Sequence, residues 1–241
     1  TARSNSSRLP NKHFYKINKK TLLEYLISRA KKIINLNHII VATTINDSDN
    51  KIEKLSKKKN IDCFRGSELD VAKRVYHAAK KFKLDVVCLI TADCPIFDIE
   101  LVDDLVVNFK KNSHIIDYAS LQGNIPNGMD CEIFKTTILK DSIKNRKFLD
   151  EKEHVTLNIR RNKKKYRLFS FIPSKKYSWP NLALTVDEKN DFYLIKRIID
   201  YFNKKKNYYF NCLDVIELLK KNKDWLKINN LIKRNDKNIK I

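Results

Sequence analysis

The stretch Asp85-Val-Val-Cys-Leu-Ile-Thr-Ala-Asp-Cys-Pro95 decides how the rest of the chain is read. Its first half, Asp85–Ile90, is short, β-branched and apolar on both faces, the pattern of a central parallel strand covered from both sides. Its second half places a carboxylate, Asp93, straight after that strand. In open parallel sheets ligands bind beyond the carboxyl ends of the strands, so this position is a candidate site from the outset.

Working outward, the same alternation repeats. Toward the N-terminus lie a helix over about 68–82 with Val71, Val75, Ala78 and Phe82 on one face, a short strand at 61–64 and a Lys-rich helix over 48–59. Before these come a β-branched strand at His38–Thr43 and a helix carrying Leu23, Leu26, Ile27, Ala30, Ile33 and Ile34 at helical spacing. Toward the C-terminus a helix spans about 99–111, with Asp98 as N-cap and Glu100, Asp103 and Asp104 near its positive end. Ile115–Ser120, Cys131–Phe134 and Arg167–Ile172 read as strands, and 136–145, 151–161 and 190–206 as helices. The expected fold class is α/β, a mostly parallel Rossmann-like sheet flanked by helices. No Pro/Gly linker and no internal repeat interrupts it, so one domain is expected over 1–210, with 211–241 a Lys-rich helical extension of the same domain. The chain opens directly in a polar loop, and a strand feeding that loop is expected to be missing from this sequence.

Composition narrows the function. The 241 residues carry 50 Lys+Arg against 28 Asp+Glu, a formal charge of +22. Such a balance suits a nucleic-acid binder. It also follows from an AT-rich genome, and here Lys outnumbers Arg while Asn and Ile are abundant, so the whole composition is shifted rather than one segment. The dispersed Lys lack the bidentate geometry of Arg, and no nucleic-acid partner is expected. With three glycines, Gly66, Gly123 and Gly128, the chain holds neither a dinucleotide fingerprint nor a P-loop; Gly123 and Gly128 have P-loop spacing, but Met129 stands where the Lys is required. Apolar runs such as Val86–Ile90 are too short to cross a bilayer, and no signal peptide is visible. Five cysteines without a C-x-x-C pair suggest neither a disulfide framework nor a zinc site, and fit a cytoplasmic location.

Three features could carry chemistry. Thr1-Ala-Arg-Ser-Asn-Ser-Ser-Arg-Leu-Pro-Asn-Lys12 sets Arg3, Arg8 and Lys12 among small polar residues, a loop able to surround a polyphosphate with cations, hydroxyls and backbone N–H groups. A solvated basic tail is the other reading. Asp93 is either the cap of the following helix or a Mg²⁺ ligand, since Mg²⁺ takes one or two carboxylates plus substrate phosphates. Asp187, after the apolar run Leu182–Val186, is the natural second carboxylate. The third feature, Glu151-Lys-Glu-His-Val-Thr156, is on its own a solvated helix face with a lone His.

Taken in order, these motifs resemble a known family. The segments are Ala2-Arg-Ser-Asn-Ser-Ser-Arg-Leu-Pro10 with Lys12, Leu22-Leu-Glu-Tyr-Leu26, Val41-Ala-Thr-Thr44, Phe64-Arg-Gly-Ser-Glu68, Asp70-Val71, Thr91-Ala-Asp-Cys-Pro95, Leu101-Val-Asp103, Pro126-Asn-Gly-Met-Asp130, Glu153-His-Val-Thr156 and Thr185-Val-Asp187. They resemble the cytidylyltransferases related to the spore coat polysaccharide biosynthesis protein F, themselves similar to the CMP-KDO and acylneuraminate synthetases. The resemblance implies a nucleotide-diphospho-sugar transferase fold, a small arm that commonly forms a homodimer, and Mg²⁺-dependent reaction of CTP with an acidic, ulosonic acid-like sugar to give a CMP-sugar and pyrophosphate. Arg3 and Lys12 then fall where CTP phosphates bind, with Ala2 and Arg8 in the same loop. Asp93 and Asp187 fall on the metal carboxylates, so that Arg3, Lys12 and Asp93 carry the catalysis. Arg65, Gly66 and Ser67 fall near base and ribose, and Asp130, Glu132, Glu153 and His154 on the acceptor side.

The departures concentrate on the acceptor side. Lys152 replaces the usual Arg before Glu-His-Val-Thr, which keeps the charge and loses the planar fork. Ala183 stands where an Arg is common, and Glu188-Lys-Asn190 replaces Thr-Pro-Glu. The nearest rival, a nucleotide-sugar glycosyltransferase, typically holds its metal with Asp-x-Asp after a strand, and Ala92-Asp-Cys-Pro95 offers one carboxylate followed by Pro. A basic RNA- or DNA-binding protein is the rival of a different class; no zinc spacing or RRM-like aromatic motif supports it.

Overall fold

A computed structural model of the chain describes residues 1–6 and 8–232. The first loop runs into a 3₁₀ turn at Lys12–Phe14 and a small antiparallel ribbon, β1 (Lys16–Ile17) with β2 (Lys20–Thr21). There Thr21 begins α1 (Leu22–Ala30) with a capping box: its hydroxyl accepts the Glu24 amide while the Glu24 carboxylate accepts the Thr21 amide. The periodicity that marks this helix buries Leu22, Leu23, Ile27 and Ala30. Ile33 is also buried, but Ile34, counted in the same stripe, lies beyond the helix and is 86% exposed.

The alternating unit follows: β3 (Ile40–Thr44), α2 (Asn50–Lys58), β4 (Asp62–Gly66), α3 (Val71–Lys81), β5 (Val86–Leu89) and α4 (Ile99–Lys111). Asp98 caps α4 as its sequence announced, accepting the Leu101 amide; its other oxygen accepts the Cys212 amide at 2.7 Å, which pins the C-terminal segment to the core. Then come β6 (Tyr118–Leu121), β7 (Glu132–Lys135), α5 (Thr136–Asn145), α6 (Asp150–Glu153), α7 (Leu157–Arg161), β8 (Leu168–Phe171), α8 (Lys189–Lys204) and α9 (Cys212–Lys221), with a closing 3₁₀ turn at Lys223–Ile228.

The α/β class and the Rossmann-like plan hold, with one change of direction. β3 and β4 pair in parallel, and β6 and β8 pair in parallel, but β7 lies antiparallel between β5 and β6, giving the order β5-β7-β6-β8. The expectation of a central strand with parallel neighbours at Asp85–Ile90 is corrected accordingly: the strand partner of β5 among the described residues is antiparallel β7, and Val86 is 37% exposed. The other edge of β5 faces β3 across an apolar slot of about 470 Å³ lined by residues such as Val41, Ala42, Val87 and Leu89. At the end of that slot Thr1 and Ala2 tie the two strands together. Ala2 N donates to Ala42 O (3.2 Å), the Thr1 amine to Ile90 O (2.9 Å), and Ala92 N to Thr1 O (3.0 Å).

Period-two alternation explains the flanking helices. On β6 and β7, Ala119, Leu121 and Ile133 join one hydrophobic cluster with Leu105 and Phe109 of α4 and Ile195 and Ile199 of α8. Tyr118 and Phe134 point the other way and pack with Val71 and Val75 of α3, Leu139 of α5 and Ile159 of α7. Val215, Leu219 and Trp225 belong to the first cluster, so α9 and the turn after it share the core of the sheet. The end of the Lys-rich extension, residues 233–241, lies outside the described residues. One helix expected from the sequence is broken: the segment 151–161 divides into α6 and α7 because His154 turns extended and the Thr156 hydroxyl is drawn to Glu132.

Candidate active site

At the carboxyl ends of β3 and β5 the first loop is held from below. Ala2 is buried and bonded through its backbone to β3. Ser4 N donates to the Asp49 carboxylate at 2.7 Å, and the Thr43 and Thr44 hydroxyls donate to the other oxygen of that carboxylate at 3.0 and 2.5 Å. Burial opposes the Asp49 charge, yet these donors hold its carboxyl below the ordinary value. The loop is therefore anchored rather than a solvated tail.

So anchored, the loop delivers its cations to the two carboxylates. Lys12 is buried, and its Nζ donates to Val186 O (2.7 Å) and Asp187 Oδ1 (3.0 Å) and lies 4.0 Å from Asp93 Oδ2. Arg8 reaches Asp187 Oδ1 at 3.0 Å. Asp93 does not cap α4, since Asp98 does; its carboxyl is held below the ordinary value because Lys12 and the Thr91 hydroxyl outweigh a large burial penalty. Arg3 points elsewhere, to Glu153 at 3.3 Å.

That Arg3–Glu153 contact leads into a cavity of about 850 Å³. Its walls include Asp130, Glu132, Glu153 and His154, and also Gln122, Trp179 and Arg160. Glu132 Oε1 accepts the Tyr118 and Thr156 hydroxyls at 2.6 and 2.7 Å, and Arg160 Nε stands 3.6 Å from it. The four residues expected on the acceptor side thus meet around one cavity. Arg65, Gly66 and Ser67 do not line it. The Arg65 guanidinium is spent on Thr44 O, Asn46 O, Asn50 Oδ1 and Glu53, a brace between β4 and the β3–α2 connection. What this stretch offers a ligand is backbone and the Ser67 hydroxyl, which accepts the Asp70 amide. Gly66 is needed for packing, since a Cβ there would stand 2.8 Å from the Phe64 ring.

Several residues that matter here carried no signal in the sequence. Asp49 reads as part of a Lys-rich helix, Arg160 as part of the helix expected over 151–161, and His13 as nothing at all. His13 is buried behind Lys12, and its Nδ1 has no hydrogen-bond partner among the described residues. Burial first and the Lys12 charge second push its pKa down to about 4, against the pull of Asp93 and Asp49. The folded state therefore excludes a proton that the unfolded chain binds near 6.5, and stability present above that pH is lost as pH falls from 6.5 toward 4, by up to about 3 kcal/mol. In urea unfolding, wild type should lose about 2 kcal/mol more than His13→Gln between pH 7 and pH 4.5. An equal loss in both proteins contradicts a neutral buried imidazole.

An α/β sheet of this plan, with cations and paired carboxylates at the carboxyl ends of its strands, places the chain among the nucleotidyltransferase-like folds. CMP:2-keto-3-deoxy-manno-octonic acid synthetase, solved in complex with CTP, superposes with a TM-score of 0.64 over 83% of this chain and 96% of its own at 15% identity. Residues 1–233 match the cytidylyltransferase family, and the chain belongs to that family. A cytidylyltransferase from Leptospira borgpetersenii is 30% identical and has a TM-score of 0.88 over 96% of each chain. The uncharacterized protein MJ1063 of Methanocaldococcus jannaschii is 37% identical over 84% of this chain and 88% of its own length. Spore coat polysaccharide biosynthesis protein SpsF of Bacillus subtilis is 28% identical over 92% and 93%.

Proposed function

We propose that this protein transfers the cytidylyl group of CTP to a hydroxyl of an acidic, ulosonic acid-like sugar, releasing pyrophosphate and supplying a CMP-sugar for surface polysaccharide synthesis. The observation that carries the reading is the sharing of Lys12 by Asp93 and Asp187 beside the cavity that holds Asp130, Glu132, Glu153 and His154. Family membership supports CTP as the nucleotide. The Gln122 and Asn181 amides and the Trp179 ring suit a hydroxyl-rich acceptor, and Arg160 is the Arg or Lys side chain among the described cavity residues to meet its carboxylate. A homodimer and a cytoplasmic location complete the reading.

Asp93 and Asp187 would hold Mg²⁺. The fit rests on their convergence on one cation, Lys12, and on the donor set, since Mg²⁺ takes one or two carboxylates together with the substrate phosphates. Bound there, it would neutralise charge developing on the α-phosphate and the departing pyrophosphate. Lys12 and Arg8 bind the phosphates, and the cavity orients the acceptor hydroxyl for in-line attack at the α-phosphorus. The test is pyrophosphate release with Mg²⁺, each of the four NTPs and a panel of ulosonic acids. Release with CTP and an acidic sugar is expected; none with any combination overturns the reading.

A further inference from the structure

Three backbone segments are laced together between the Lys12 cluster and the acceptor cavity. Val186 N donates to Asp93 O (2.8 Å), Leu184 N to Asn127 O (2.8 Å) and Asn127 N to Leu182 O (2.9 Å). These bonds join the segments that follow β5, precede β7 and precede α8. Gly128, at φ 97°, lies so close to the third segment that a Cβ would come within 2.8 Å of the Leu184 carbonyl carbon. Met129 and Cys131 on either side of Asp130 are buried, so the turn presents Asp130 to the cavity, within the electrostatic reach of Asp93.

The carboxylates of this site differ in one respect. Asp93 and Asp187 share Lys12, Glu153 has Arg3, and Glu132 has Arg160 together with two hydroxyls. Asp130 has no ion pair among the described residues, and the Gly128 amide reaches its Oδ2 at a long 3.3 Å. A carboxylate open to the substrate cavity and left without a cation is the one best able to take a proton. We propose that Asp130 is the general base for the attacking hydroxyl of the acceptor.

This assignment rests on the nucleotidyl-transfer reading and adds the proton to it. The acceptor O–H gives its proton to the Asp130 carboxylate. Its oxygen forms the new bond to the α-phosphorus, the bond from that phosphorus to the bridging oxygen breaks, and pyrophosphate leaves with the electron pair. Protonated Asp130 then returns its proton to water. Burial raises the affinity of Asp130 for that proton, the charges of Glu132 and Asp93 add to it, and the Gly128 amide opposes it. The groups around it are Asp93 and Cys94 from the first segment, Glu132 from β7, and Glu153, His154 and Arg160 from the helical wall. A protonated Asp130 cannot accept the hydroxyl proton, so activity rises with pH as the carboxyl ionises.

The test is Asp130→Asn, with Asp130→Ser as a second variant, assayed across pH with saturating Mg²⁺ and CTP. The expected result is a fall in kcat on the order of a hundredfold or more, KM values within a few-fold of wild type, and loss of the ascending acid limb of the pH profile. Asp130→Glu should restore part of the rate and the limb. Both variants should melt close to wild type at pH 7, because the Asp130 side chain is exposed to the cavity and forms no ion pair among the described residues. A folded variant with near wild-type kcat, or with its whole loss in acceptor KM and the acid limb unchanged, overturns the assignment while leaving cytidylyl transfer intact. Wild-type protein inactive in the same assay overturns both.

Discussion

Asp93→Asn should abolish turnover while leaving the protein folded. The substitution removes one negative charge and keeps the shape. What ties this loop into the fold is backbone, the Asp93 carbonyl accepting Val186 N at 2.8 Å and the Ala92 amide donating to Thr1 O at 3.0 Å, and neither bond involves the carboxylate. The lost charge is one of the two proposed to hold Mg²⁺, and removal of a single preorganised electrostatic group from a transition state of this kind costs on the order of a hundredfold or more in rate. The measurement is steady-state pyrophosphate release together with a thermal melt. A folded Asn variant with unchanged activity contradicts the metal assignment.

Lys12→Met should fail in two ways. Lys12 is buried between Asp93 and Asp187 and donates to Val186 O, so its loss leaves two carboxylates facing one another, with Arg8 near the second among the described cations. Breaking a buried ion pair by removing one partner costs about 3–5 kcal/mol. Turnover should fall on the order of a hundredfold or more, because the same ammonium is the proposed phosphate ligand. The two losses separate under divalent cations. Without nucleotide, Lys12→Met should bind Mn²⁺ more tightly than wild type, since the position between the carboxylates is no longer taken by an ammonium. Titration followed by electron paramagnetic resonance reads this directly, and weaker Mn²⁺ binding by the variant contradicts a shared carboxylate site.

The parts of this architecture legible in the sequence are those written in local pattern. The strand Val86–Leu89, the helix Ile99–Lys111 with its Asp98 cap and the helix Thr136–Asn145 follow from β-branching, apolar spacing and capping chemistry, which act over a few residues. Asp93 was legible as a site residue because it follows a strand of an open sheet, and Asp187 because it follows the apolar run Leu182–Val186, which the structure shows as extended chain with a single bridge, Asn127 to Ala183, rather than a strand. The direction of β7 was not legible, since an apolar run of four residues looks the same in either orientation. Nor was the break at His154–Thr156: the helical pattern is continuous, and what interrupts it is a hydroxyl drawn 24 positions back to Glu132. Asp49 bonding Ser4, and Arg65 spent on Asn46, Asn50 and Glu53, are likewise long-range arrangements. Of the formal +22, few charges meet the site: Arg8 and Lys12 at the carboxylate pair, Arg3 at Glu153 and Arg160 at Glu132.

The fate of the α-phosphate is the most direct test of cytidylyl transfer. With Mg²⁺, an ulosonic acid and CTP labelled at the α-phosphorus, the label should move into a sugar nucleotide that liberates CMP on mild acid treatment, while a γ-label should appear only in pyrophosphate. An α-label that stays in CTP, or that leaves as free CMP with the sugar unmodified, contradicts the account.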